Sequence, residues 1–98
     1  MHYFAFLSYE VLKAENYNHD FFNGELEEIG LYSKIKTEGD ILRDLPRYTY
    51  IGEYKFADKE ELKNVLYSEV KKLFQSNGVQ VTLFIGVSEK ATIGLDIL

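Results

Sequence analysis

The chain opens on a short, nearly unbroken apolar run, His2–Tyr9 (HYFAFLSY). Its brevity and aromatic content predict a strand buried on both faces. A polar stretch, Lys13–Asp20, follows, with Asn16, Asn18 and Asp20 as turn or cap residues. Phe22, Leu26 and Ile29 then fall at i, i+4 and i+7, one stripe of a helix. Gly30 is placed to end that helix in a left-handed conformation. Leu31–Thr37 alternates, with Leu31, Ser33 and Ile35 against Tyr32, Lys34 and Lys36, as a half-exposed strand does. Glu38-Gly39-Asp40 signals a turn, and Asp44-Leu45-Pro46 closes the connection. Arg47–Phe56 alternates again, with Tyr48, Tyr50, Tyr54 and Phe56 sharing one face. Asp58 and Glu61 make a capping-box pattern ahead of the stripe Leu62, Val65, Leu66, Val70, Leu73 and Phe74. Asn77-Gly78 ends this second helix, and Val79–Val87 alternates as a strand. Ile93, Leu95 and Ile97 at spacing two predict a last strand over Ala91–Leu98.

The order is β-α-β-β-α-β with one strand added at the end. That order predicts an α+β fold, a ferredoxin-like sandwich with an additional C-terminal strand, in a single domain over residues 1–98. A 98-residue chain has room for one core. With 46% apolar and 28% charged residues it reads as an ordinary globular protein and excludes intrinsic disorder. No apolar run approaches the ~20 residues of a membrane span, so no membrane partner is expected. No signal-peptide pattern precedes the first strand. The absence of cysteine removes disulfides, thiolate metal sites and a cysteine nucleophile together. These readings point to the cytoplasm. The extra strand needs an edge to pair with. Pairing with a second copy predicts a homodimer, and a hairpin beside Val79–Val87 is the alternative.

The charge balance narrows the candidate chemistry. Eleven basic residues against sixteen acidic ones give a net charge of −5. A phosphate-gripping protein needs a basic patch, and Lys34, Lys36, Arg43 and Arg47 are the candidates, with Lys71-Lys72 as a second pair. Solvated surface charge is the ordinary reading of both. The tyrosine face invites comparison with sheets that stack RNA bases on aromatic rings. Core or a dimer interface is the commoner use of such a face. His19-Asp20 could pair at a helix start, but two histidines in the chain are too few for a histidine zinc site. Glu10 ends the first apolar strand, where a carboxylate can hold a divalent metal. No phosphate-binding glycine loop, nucleophile elbow or metalloprotease motif occurs.

The layout resembles that of small ferredoxin-like endoribonucleases, which include the CRISPR-associated Cas2-type proteins. It is closer to the antitoxins of type V toxin–antitoxin pairs, the GhoS family. The resemblance rests on Phe4-Ala5-Phe6-Leu7-Ser8-Tyr9-Glu10, a short helix ending at Ile29, Arg43-x-Leu45, and the helix start Asp58-Lys59-Glu60-Glu61-Leu62. It implies RNA as partner and cleavage of RNA at the acidic strand end, Glu10, assisted by Mg or Mn or by no cofactor at all. Lys34, Lys36, Arg43 and Arg47 would hold the phosphates. The competing reading is a non-enzymatic interaction module on the same fold, an inhibitor or antitoxin whose acidity suits a basic or nucleic-acid-binding protein partner. Its first helix is acidic, with Glu25, Glu27 and Glu28. A basic patch beside Glu10 favours cleavage there, and dispersed basic residues favour the interaction module.

Overall fold

The computed structural model describes residues 1–95, the Glu38 side chain excepted. β1 spans His2–Lys13. Its odd residues Tyr3, Ala5, Leu7 and Tyr9 are buried, while Phe4, Phe6 and Ser8 on the other face are half-buried. The strand therefore has one core face and one open face, not the two buried faces its unbroken apolar run predicts, because both helices pack on the same side of the sheet. α1 spans His19–Ile29, and the Asn18 side chain accepts the Phe21 N–H at its start. At its end Gly30 takes φ +96°, so the Leu31 N–H can reach the Leu26 carbonyl at 2.9 Å.

β2 is Lys34–Thr37 and β3 is Ile41–Asp44, paired antiparallel across the Glu38–Asp40 turn. β4 is Thr49–Lys55, α2 is Lys59–Ser76 and β5 is Gln80–Ser88. The Asp58 carboxylate accepts the Glu61 N–H at 3.0 Å, the cap expected for α2. β1 lies between β4 and β5, antiparallel to both, in the order β4-β1-β5.

The α+β class is as expected, and the strand order fits the expected arrangement in part. The fourth place in the main sheet, beside β4, holds a single bridge, Tyr32 to Ile51, in place of a strand over Leu31–Thr37. The expected alternation holds, with Leu31 buried, Ser33 and Ile35 half-buried and Tyr32, Lys34 and Lys36 exposed, but beyond Tyr32 the backbone pairs with β3 and not with β4. β3 is a strand where a bare connection was expected. Its side chains are all exposed, so no hydrophobic pattern announces it.

Both helices cover the core face. Phe22 and Leu26 of α1, with Leu62, Leu66, Val70 and Phe74 of α2, pack on Tyr3, Ala5, Leu7, Tyr9 and Tyr50. Val65, expected on the α2 stripe, is exposed instead. The tyrosine face of β4 belongs to this core, as the commoner reading has it. Tyr50 is buried, and Tyr48, Tyr54 and Phe56 pack against it.

The additional C-terminal strand is not formed over Ala91–Leu95. That segment turns away at Ser88, whose hydroxyl donates to the Lys90 carbonyl. Ala91 and Ile93 then border a groove with Phe4 and Ile51 on the open sheet face. The remainder of the expected strand, residues 96–98, lies outside the described residues. Among the described residues, no helix is long and apolar enough to cross a membrane.

Candidate functional site

At the end of the sheet where β1 leaves the core and β4 begins, polar atoms of six side chains converge. Tyr9 comes from β1, Tyr17 from the following loop, His19 and Asn23 from α1, and Arg47 and Tyr50 from the start of β4 and the residues before it. Tyr48 folds them together. It takes φ +68°, a conformation a bulky side chain rarely adopts, while the Tyr9 N–H donates to its carbonyl at 3.2 Å. Its ring packs edge-on against His19 at 5.1 Å and against Tyr9 at 5.2 Å, and the Arg47 guanidinium lies 5.2 Å from its centroid. His19, Asn23, Arg47, Tyr48 and Tyr50 line a small pocket of about 300 Å³.

Two short hydrogen-bonded groups meet here. Tyr50 Oη donates to Asn23 Oδ1, an oxygen that can only accept. The Tyr9 and Tyr17 hydroxyls share a hydrogen bond of 2.6 Å, and the Tyr17 hydroxyl is bonded in turn to His19 Nδ1 across 2.8 Å. Burial, then the charge of Arg47, holds His19 below its ordinary 6.5, with Asp20 pulling the other way. Burial raises the Tyr9, Tyr17 and Tyr50 phenols, so all three keep their protons at neutral pH.

The other site candidates are spread over the molecule. Glu10 is exposed on the open sheet face, opposite Thr82. Lys34 and Lys36 border the groove near Phe4 and Glu53. Phe4 is six residues from Glu10 along β1, roughly 20 Å at strand rise. Arg43 sits opposite Ile35 and so projects from the other side of the β2–β3 ribbon from Lys34 and Lys36. Lys34 is paired with Asp44 at 3.5 Å. Arg47 alone of the four joins the His19 pocket, which Asp44 also borders. Among the described residues, no group of three or more histidine or acidic side chains could hold a metal ion.

His19 was legible as a candidate, but with Asp20 as its partner, whereas its bond is to Tyr17. Tyr9, Asn23 and Tyr50 carry no sequence signal for this site, because packing alone brings them together.

No protein-family model matches the chain, and neither a curated protein nor a solved structure does.

Proposed function

We propose that this is a ferredoxin-like, RNA-directed protein, akin to the antitoxins of type V toxin–antitoxin systems, that takes an RNA phosphodiester in the pocket between His19 and Arg47. The observation carrying this reading is a pocket that His19 shares with an exposed guanidinium and a tyrosine ring. A guanidinium suits a phosphate, and an aromatic ring beside it offers a base a stacking surface. Fluorescence anisotropy with a short labelled single-stranded RNA at low salt tests it. Arg47→Glu is expected to weaken binding by about tenfold or more, whereas Lys63→Glu on α2 leaves it unchanged. Equal binding by wild type and Arg47→Glu would overturn the reading.

A second reading, a non-enzymatic module that docks a protein, is supported by the dispersal of Lys34, Lys36 and Arg43 away from Glu10. Its surface would be the open sheet face, where Phe84 is 65% and Tyr32 48% exposed beside Phe6 and Ile51. The same face suits a second copy of the chain. Homodimerisation there is compatible with RNA at the His19 pocket, because that pocket lies among the groups packed on Tyr9, a residue of the other face of β1.

A further inference from the structure

We infer that the outer edge of β5 is where a second copy of this chain adds, strand to strand, so that two sheets join into one. The inference is independent of the RNA reading and starts from the direction of the backbone groups. The Tyr9 N–H donates to the Tyr48 carbonyl, toward β4. Successive residues of a strand turn their N–H and C=O to opposite sides, so Ala5, Leu7, Tyr9 and Val11 turn theirs away from β5. These four stand opposite Val87, Ile85, Leu83 and Val81. In an antiparallel pair both members turn the same way, so the four β5 residues present their backbone groups to the free side. β5 ends the sheet, and among the described residues no backbone hydrogen bond is made on that side.

This edge carries none of the usual guards. Exposed edges are ordinarily blunted by charge or proline. Gln80–Ser88 reads QVTLFIGVS and has neither. The other side of the sheet differs: Tyr32 pairs with Ile51 there, and the ribbon beyond it carries Lys34, Lys36, Arg43 and Asp44. The apolar cover also stops short at β5. Val81, Leu83, Ile85 and Val87 lie on the helix side of the sheet yet are only half-buried. Tyr67 of α2 is 48% exposed beside a groove that Val81 and Leu83 line. A strand added here gains hydrogen bonds along its length and apolar neighbours on both faces.

The strand that fits is β5 of a second copy. A two-fold contact needs a self-complementary surface, and its hydrogen bonds need odd residues to face odd residues. The register centred on Phe84 meets both needs and pairs the whole of Gln80–Ser88. Val81 then faces Val87 of the second copy, Leu83 faces Ile85, Thr82 faces Gly86, and Phe84 faces its own counterpart. Like meets like in size and polarity, and the exposed Phe84 rings form a cross-strand aromatic pair on the open face. A net charge of −5 sets copies of this chain against each other in general, but β5 contributes nothing to that repulsion. The chain after β5 runs toward β4, where Ala91 and Ile93 border Ile51, and not along this edge.

The chain has no cysteine, so single introduced cysteines report the register directly. Directly opposed residues that exchange no hydrogen bonds stand about 4.5 Å apart at Cα, inside the roughly 4.4–6.8 Å a disulfide spans. With oxidised glutathione at high micromolar protein, Phe84→Cys is expected to link to itself as a covalent dimer. Thr82→Cys and Gly86→Cys should each self-link at least about tenfold more slowly, yet link to each other when mixed. Amide hydrogen exchange of the unaltered protein gives a second readout that needs no variant. The Val81, Leu83, Ile85 and Val87 amides should exchange at least about tenfold more slowly at high micromolar concentration than after dilution. Exchange at these amides that ignores concentration would overturn the inference, whether they stay open or a segment of the same chain covers them. Faster self-linking at Thr82 or Gly86 than at Phe84 would overturn the register and the inference with it. A dimer whose four outward amides remain as open as in the monomer would assign the contact to the sheet face alone and overturn it too.

Discussion

Gly52 shows how closely one residue can govern the packing of this molecule. It lies on the core side of β4, paired with Ala5, with neither position carrying bulk. A Cβ at Gly52 would meet the Gly30 carbonyl oxygen inside contact distance and a Tyr54 ring carbon at 2.8 Å. The Tyr54 hydroxyl meanwhile donates to the Ile29 carbonyl at 2.9 Å, tying the end of α1 to β4. Gly52→Ala must therefore push the helix end off the sheet. A loss of about 1–3 kcal/mol is expected, as for other overpacked sites, read from urea unfolding. An unchanged midpoint would mean that α1 shifts freely. Leu66, by contrast, is buried mid-stripe on α2 in the position its sequence spacing predicts.

Among the elements, the β2–β3 ribbon stands apart from the rest. All of Ile41–Asp44 is exposed, including the apolar Ile41 and Leu42, and among the described residues the backbone hydrogen bonds that tie the ribbon to the main sheet are the pair between Tyr32, just ahead of β2, and Ile51. Its hydrogen bonds are covered by little apolar surface, the condition for local opening. Amide hydrogen exchange should find the β2–β3 amides at least about tenfold faster than those of β1, which is paired on both sides. Equal protection would mean that something covers the ribbon in solution. The contrast with β1 has a plain cause: one strand is central to a sheet and bears a core face, and the other two pair only with each other.

At the scale of the whole molecule, the asymmetry lies between the two sides of the main sheet. One side is sealed by α1 and α2. The other leaves Phe6, Ile51 and Phe84 on a shared surface, with Ala91 and Ile93 bordering one end. A face of this kind is stabilised by a partner that removes it from water. We expect a homodimer by light scattering at high micromolar concentration, and Phe84→Glu should give a folded monomer. Full-length protein that stays monomeric would defeat this. The expected dimer uses the open face of the sheet in place of a strand over Ala91–Leu98.

What the sequence by itself determined is whatever depends on neighbours in the chain. The Asp58 cap and Gly30 stop are local backbone chemistry, and both occur where they were expected. The stripe Leu62-Leu66-Val70-Phe74 follows from helix periodicity, whereas the apolar run of β1 predicts burial on both faces and only the packing of the helices decided that its odd residues form the core. Tertiary structure alone decided the rest. β3 forms through its pairing with β2, without hydrophobic alternation. Val65 falls outside the area the sheet covers. The segment 91–95 keeps its spacing-two pattern yet finds no strand partner among the described residues. The His19 site is the strongest case, since it includes the meeting of Tyr50 with Asn23, residues 27 positions apart. No local pattern encodes such a meeting: it arises because burial of Tyr9 and Tyr50 on adjacent strands brings their hydroxyls to the start of α1.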